Sequence, residues 1–201
     1  MTLRHAQGHP ERSRGVRIFG IDPGSERTGY GCVETDGRRH HLVACGAITA
    51  LAGDGFPQRL EKIHRELSAL LAKWQPDCVA IENLFHANNV RSALKLGHAR
   101  GVAMLAAVEA GCPVVEYTPA EIKRAVVGYG RAEKQQVQQM IKLLLGLPKP
   151  PSPHDAADAL AVAMCHLHSA PNAIVVEADR QVRRNPRAPR SWRQYRPPAN
   201  G

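Results

Sequence analysis

Long apolar runs are missing from this 201-residue chain: no segment reaches the roughly 18–20 residues needed to span a bilayer, and no signal-type apolar core opens it. That pattern points away from a membrane and toward the cytoplasm. Paired cysteines are missing too. Cys32, Cys45, Cys78, Cys112 and Cys165 are odd in number, widely separated and contain no Cys-x-x-Cys, which fits buried thiols in a reducing compartment rather than a disulfide framework. There is no internal repeat. Acid is absent from residues 180–201, which carry seven Arg, and residues 1–15 hold three Arg against Glu11. These two ends account for the whole formal charge of +9, so residues 16–179, with 17 basic and 17 acidic side chains, are neutral. A uniformly basic nucleic-acid-binding domain is thereby excluded, and only local segregation of charge remains to attract a phosphate backbone.

What is present is enough for one domain. A hydrophobic content of 43% is ordinary for a globular chain with a sizeable core. Residues 1–15 are expected to be a disordered leader, 16–176 the folded domain and 177–201 a disordered Arg-rich tail. Three strands are predicted at Arg17 to Asp22, Tyr30 to Thr35 and His41 to Ala50, antiparallel because their connections are short. Apolar residues at helical spacing predict a helix from Phe56 to Trp74, ended by Pro76, and Cys78 to Asn83 returns as a strand. A long helix from about Asn88 to Glu109 leads to a strand at Pro113 to Tyr117; strand, helix, strand makes these two strands parallel. Thr118-Pro119-Ala120-Glu121 has the form of a capping box, Gly128-Tyr129-Gly130 interrupts, and helical patterning resumes over Ala132 to Leu145. A Pro-rich connector precedes the last helix, about Pro153 to His168.

Four acids stand out against this frame. Asp22 ends an apolar strand just before a Pro-Gly turn, and Glu82 ends another. Asp155 and Asp158, spaced i and i+3, share one face of the last helix. If the fold gathers them, their mutual repulsion calls for a divalent cation. Each has a plainer reading. Asp22 could cap a loop, Asp155 could complement a helix N-terminus, and Glu82 could sit in a buried ion pair. His154 beside Asp155 could be a ligand, a base or only a polar helix-start residue.

The order of elements and the motifs together resemble the RuvC family of bacterial Holliday junction resolvases. The matching stretches are Gly-Ile-Asp-Pro-Gly-Ser at 20–25, Thr28-Gly29-Tyr30-Gly31, Ala80-Ile81-Glu82, Ser92 to Gly97, Ala99 to Ala103, Val126-Val127-Gly128, Ala132-Glu133-Lys134 and Asp155 to Ala161. The resemblance implies an α/β, ribonuclease H-like fold with a five-stranded mixed sheet, three antiparallel then two parallel strands, flanked by helices. It also implies a homodimer that cuts a four-way DNA junction symmetrically, leaving 5′-phosphate and 3′-hydroxyl ends, in recombination and repair. Mg2+, two ions per site with Mn2+ as substitute, is the implied cofactor, and the RuvA-RuvB branch-migration complex an implied partner. By the same resemblance Asp22, Glu82, Asp155 and Asp158 are the metal-binding catalytic acids. Phe85 matches an aromatic that projects into the junction, and Lys123 and Lys134 match basic residues near the cleaved strand.

Position suggests the roles: Asp22 bridges the metals, Glu82 holds one, Asp155 and Asp158 hold the other, and Lys134 offsets charge on the scissile phosphate. Arg91, Lys95, Arg100, Lys123, Arg124, Arg131 and Lys134 are candidates for phosphate contacts. Small and apolar positions on the long helix, Ala93, Leu94, Gly97, Gly101, Ala103 and Met104, are candidates for the dimer contact. Three other classes remain open: an actin-like phosphotransferase, a non-catalytic junction-binding module, and a nuclease of the same fold acting on RNA or hybrids.

Overall fold

The computed structural model describes residues 15–50, 53–83 and 90–169. The expected leader and tail, Phe85 and the first residues of the predicted long helix lie outside this set. Five strands and five helices follow in the order β1 (Val16–Asp22), β2 (Arg27–Thr35), β3 (His40–Thr49), α1 (Phe56–Trp74), β4 (Cys78–Glu82), α2 (Val90–Glu109), β5 (Val114–Tyr117), α3 (Pro119–Val127), α4 (Lys134–Leu144) and α5 (His154–Ser169). They form one sheet in the order β3-β2-β1-β4-β5. The pairs β1–β2 and β2–β3 are antiparallel, while β1–β4 and β4–β5 are parallel, as the connection lengths require. Among the described residues no helix is long and apolar enough to cross a membrane.

The period of two along β1 and β4 divides the sheet between two layers. Phe19, Ile21, Val79 and Ile81 face one side, where they pack with Ile63, Leu67 and Leu71 of α1 and Ala99, Ala103, Ala106 and Ala107 of α2. Alternate residues face α5, a helix buried at nearly every position from Ala156 to Leu167. That helix lies very close to the sheet. A Cβ at Gly20 would collide with the carbonyl of Ala159, and one at Gly29 with the carbonyl of Asp155. Glycine is needed there for space.

Element boundaries depart from the sequence pattern at two informative places. Strand β2 begins at Arg27, not Tyr30, because Thr28 closes the preceding turn: its hydroxyl donates to the Gly24 carbonyl at 2.8 Å and accepts from the Gly24 amide at 3.3 Å. Pairing therefore resumes at once, Asp22 opposite Gly29. Helix α4 begins at Lys134, not Ala132, with Glu133 as its cap residue; the Glu133 amide donates to the Gln136 side-chain oxygen at 2.8 Å. The capping box predicted at Thr118 is present, with the Thr118 amide donating to the Glu121 carboxylate at 2.7 Å.

Candidate active site

Strand β1 lies at the centre of the sheet, paired on both sides, and its parallel register with β4 matches Ile18 to Cys78 and Ile21 to Ile81. One residue further along each strand, Asp22 and Glu82 stand side by side. The same alternation that sends Ile21 and Ile81 into the α1/α2 core turns both acids toward α5. The two carboxyls are hydrogen-bonded to each other. Burial, then the Glu82 charge and hydrogen bond and the Asp158 charge, push the pKa of Asp22 up to about 9 against a smaller pull from Lys134. Burial also raises Glu82, with Asp158 adding; the hydrogen bond from Asp22 and the charges of Lys134 and Lys123 pull the other way. Both carboxyls are thus held above the ordinary carboxylate range by burial and by the acids around them.

Helix α5 brings the other two acids over this pair. Asp158 ion-pairs with Lys134 at the start of α4, Nζ to Oδ2 at 2.5 Å. Burial opposes the ammonium charge, yet its hydrogen bond to Asp158 and the charges of Asp158, Asp22 and Asp155 hold its pKa above the ordinary lysine value. Because Lys134 also acts on Glu82, a single ammonium group feels all four acids. Three elements far apart in sequence therefore converge on one place. Asp155 bonds to Arg27 of β2, Oδ2 to Nη2 at 2.9 Å. The amides of Ala156 and Ala157 donate to the Pro153 carbonyl at 3.0 and 3.4 Å, and Asp155 stands in the first turn of α5, where an acid also complements the helix N-terminus.

The basic candidates divide by environment. Lys123 on α3 is half-buried and its charge reaches Glu82. Arg91 at the start of α2 and Arg131 in the α3–α4 loop are exposed, as is Arg124. Lys95 lies over the Phe56 ring, 6.0 Å from its centroid. Arg100 turns inward to an ion pair with Glu116 of β5, which already balances its charge. Phe85 falls outside the described residues. Two neighbours of the acids escaped the sequence reading. Arg27 lies between two matching motifs, and its signal was its period-two relation to Gly29. Gln138 is buried on α4, and its side-chain amide meets Nδ1 of His154 at 2.8 Å. Only the packing of α4 on α5 pairs them.

Among the described residues no three Asp, Glu, His or Cys side chains already converge as a ligand shell. The acids are instead paired, Asp22 with Glu82, Asp155 with Arg27 and Asp158 with Lys134. The donor set still fits a hard divalent cation: carboxylate oxygens only, one carboxyl protonated for want of positive charge, and two cationic side chains drawn in to balance the rest.

The sheet order β3-β2-β1-β4-β5, with three antiparallel and two parallel strands flanked by helices, is that of the ribonuclease H-like class. The family model described as crossover junction endodeoxyribonuclease RuvC matches residues 18–166. Proteins of that description from Koribacter versatilis and Citrifermentans bemidjiense are 54% identical over 155 residues and 57% identical over 153. These alignments cover 77% and 76% of this chain and 93% of each relative. A structure of Thermus thermophilus RuvC in complex with Holliday junction substrate is similar with a TM-score of 0.75 and 34% identity, covering 79% of this chain and 97% of that one. The chain belongs to the RuvC family.

Proposed function

We propose that this protein resolves four-way DNA junctions by metal-dependent hydrolysis of two symmetry-related phosphodiester bonds, leaving 5′-phosphate and 3′-hydroxyl ends. The observation that carries the reading is that strand register sets Glu82 beside Asp22 while Lys134, bonded to Asp158 at 2.5 Å, acts on all four acids, which supports one site built from three elements. Family membership and the junction-bound Thermus relative support the substrate.

In this reading Asp22, Glu82, Asp155 and Asp158 hold two Mg2+ ions, with Mn2+ able to substitute. When bound, the ions make water nucleophilic and neutralise charge on the attacking and leaving oxygens. Asp22 and Glu82 would hold metal from the ends of β1 and β4, and Asp155 and Asp158 from α5. Lys134, paired here with Asp158, would offset charge on the scissile phosphate. Lys123, Arg91, Lys95 and Arg131 contact phosphates of the bound strands. Arg100 belongs to the same proposed set, and in the DNA-free protein it is ion-paired with Glu116. Phe85 keeps its place by resemblance as the side chain that enters the junction.

Two symmetric cuts require two sites related by a two-fold axis, hence a homodimer. Helix α2 supports it with an outward row of exposed apolar side chains, Leu94, Leu105 and Val108, beside the exposed Gly97 and Gly101. Partnership with a RuvA-RuvB branch-migration complex is carried from the family, and a DNA substrate with five cysteines in no disulfide fits a cytoplasmic location.

The test is a Mg2+-dependent nicking assay on a mobile four-way junction, with Glu82→Gln as control. Paired nicks by the native protein, with cutting lost and junction binding kept in Glu82→Gln, are expected. Undiminished cutting by that variant would remove Glu82 from the site.

A further inference from the structure

Arg27 is the one arginine bonded to a candidate metal ligand, among the described residues. Gly29 must lack a Cβ for the start of α5 to rest on β2, and Arg27, two residues earlier, shares that strand face and meets the Asp155 carboxylate. Its neighbour Glu26 turns the other way, to Arg59 at 3.5 Å. The Arg27 side chain is 49% exposed and Asp155 28% exposed, so the pair lies at the solvent edge of the acid cluster. A guanidinium carries five N–H donors and keeps its charge at every working pH, and one bond to Oδ2 leaves other donors of this half-exposed side chain for a phosphate oxygen.

We propose that Arg27 is a positioning residue and DNA contact at the cleavage centre. Its guanidinium holds Asp155 in the metal-free protein, yields that oxygen when the metal loads, and then binds a phosphate oxygen of the docked strand. This rests on the assignment of Asp155 as a metal ligand. Two consequences follow from the chemistry. A resident cation competes with Mg2+ or Mn2+ for the carboxylate, so removing it tightens metal binding. Release by the metal makes the phosphate contact metal-dependent, so its share of the salt sensitivity appears only with metal present.

Calorimetric titration of Mn2+ into the full chain without DNA, using native protein, Arg27→Gln, Arg27→Lys and Asp155→Asn, tests the first consequence. Arg27→Gln is expected to bind Mn2+ about two- to fivefold more tightly, the range of one partly exposed ion pair, with Arg27→Lys near the native value. Asp155→Asn is expected to bind at least about tenfold more weakly. Unchanged or weaker binding by Arg27→Gln, with Asp155→Asn weakened, overturns the role of Arg27 alone. Native binding by Asp155→Asn overturns the ligand assignment and the proposal together. For the second consequence, the salt slope of junction binding is compared in Ca2+ and in EDTA. Arg27→Gln is expected to lower the slope by about one to two units in Ca2+, for two copies per dimer, and to leave it unchanged in EDTA. No change in either medium removes the phosphate contact, and an equal change in both removes its release by the metal.

Discussion

Asp22 carries the stability cost of this site. Its pKa is displaced from 3.8 to about 9, chiefly by burial and then by Glu82 and Asp158, so the folded protein keeps a proton that the unfolded chain has released. A carboxyl raised in this way contributes stability that is complete below about pH 4 and is lost as pH climbs through about 9. Metal-free protein is therefore expected to melt at progressively lower temperature between about pH 5 and pH 9, and saturating Mg2+ to flatten the trend, as scanning calorimetry would show. Asp22→Asn keeps the shape and removes the charge. At about pH 8 without metal it is expected to gain about 1–2 kcal/mol, roughly 2–8 °C, while losing junction cleavage. No gain in melting temperature would mean that Asp22 is not strained by its neighbours.

At the scale of elements, the site depends on how closely α5 lies on β1 and β2. Gly29→Ala places a methyl group on the Asp155 carbonyl. The expected cost is about 1–3 kcal/mol in denaturant unfolding, with cleavage reduced further because the start of α5 carries two of the acids. Gly53→Ala meets nothing within 4 Å and serves as the neutral control. Helix α2 shows the limit of reading one face from spacing alone. Ala103, a candidate for the dimer contact, is fully buried against the α1/α2 core, and Met104 packs against the same cluster. The exposed row runs instead through Leu94, Gly97, Gly101, Leu105 and Val108. Helical periodicity shows that a helix has two apolar faces without showing which one meets the sheet.

For the whole molecule, symmetry is the property that function asks for and a single chain cannot display. A charge at Val108, which is 64% exposed, leaves the internal core untouched. Val108→Asp is expected to convert a dimer to a monomer in light scattering, to keep the fold by circular dichroism, and to abolish paired cutting of a junction. A dimer that persists in this variant would move the interface off α2. The charge balance belongs to this scale as well. Residues 16–179 carry no net charge, so attraction to DNA from the domain depends on where its basic residues sit, in the proposed interface Lys123, Lys134, Arg91 and Arg131, and not on how many there are.

The order of strands and helices, the three antiparallel and two parallel pairings, and the four acids were all legible in the sequence, because apolar periodicity, turn residues and connection length act locally. The partners of those acids were not. Asp22 meets Glu82 through strand register, Asp158 meets Lys134 and Gln138 meets His154 through helix packing, and Arg27 meets Asp155 only because Gly29 lets two backbones touch. Likewise Arg100, basic and well placed in sequence, is balanced by Glu116 across α2 and β5. Local chemistry sets which groups carry charge; distances between elements decide which charges meet, and at a cluster of buried acids those distances determine where the protons and cations go.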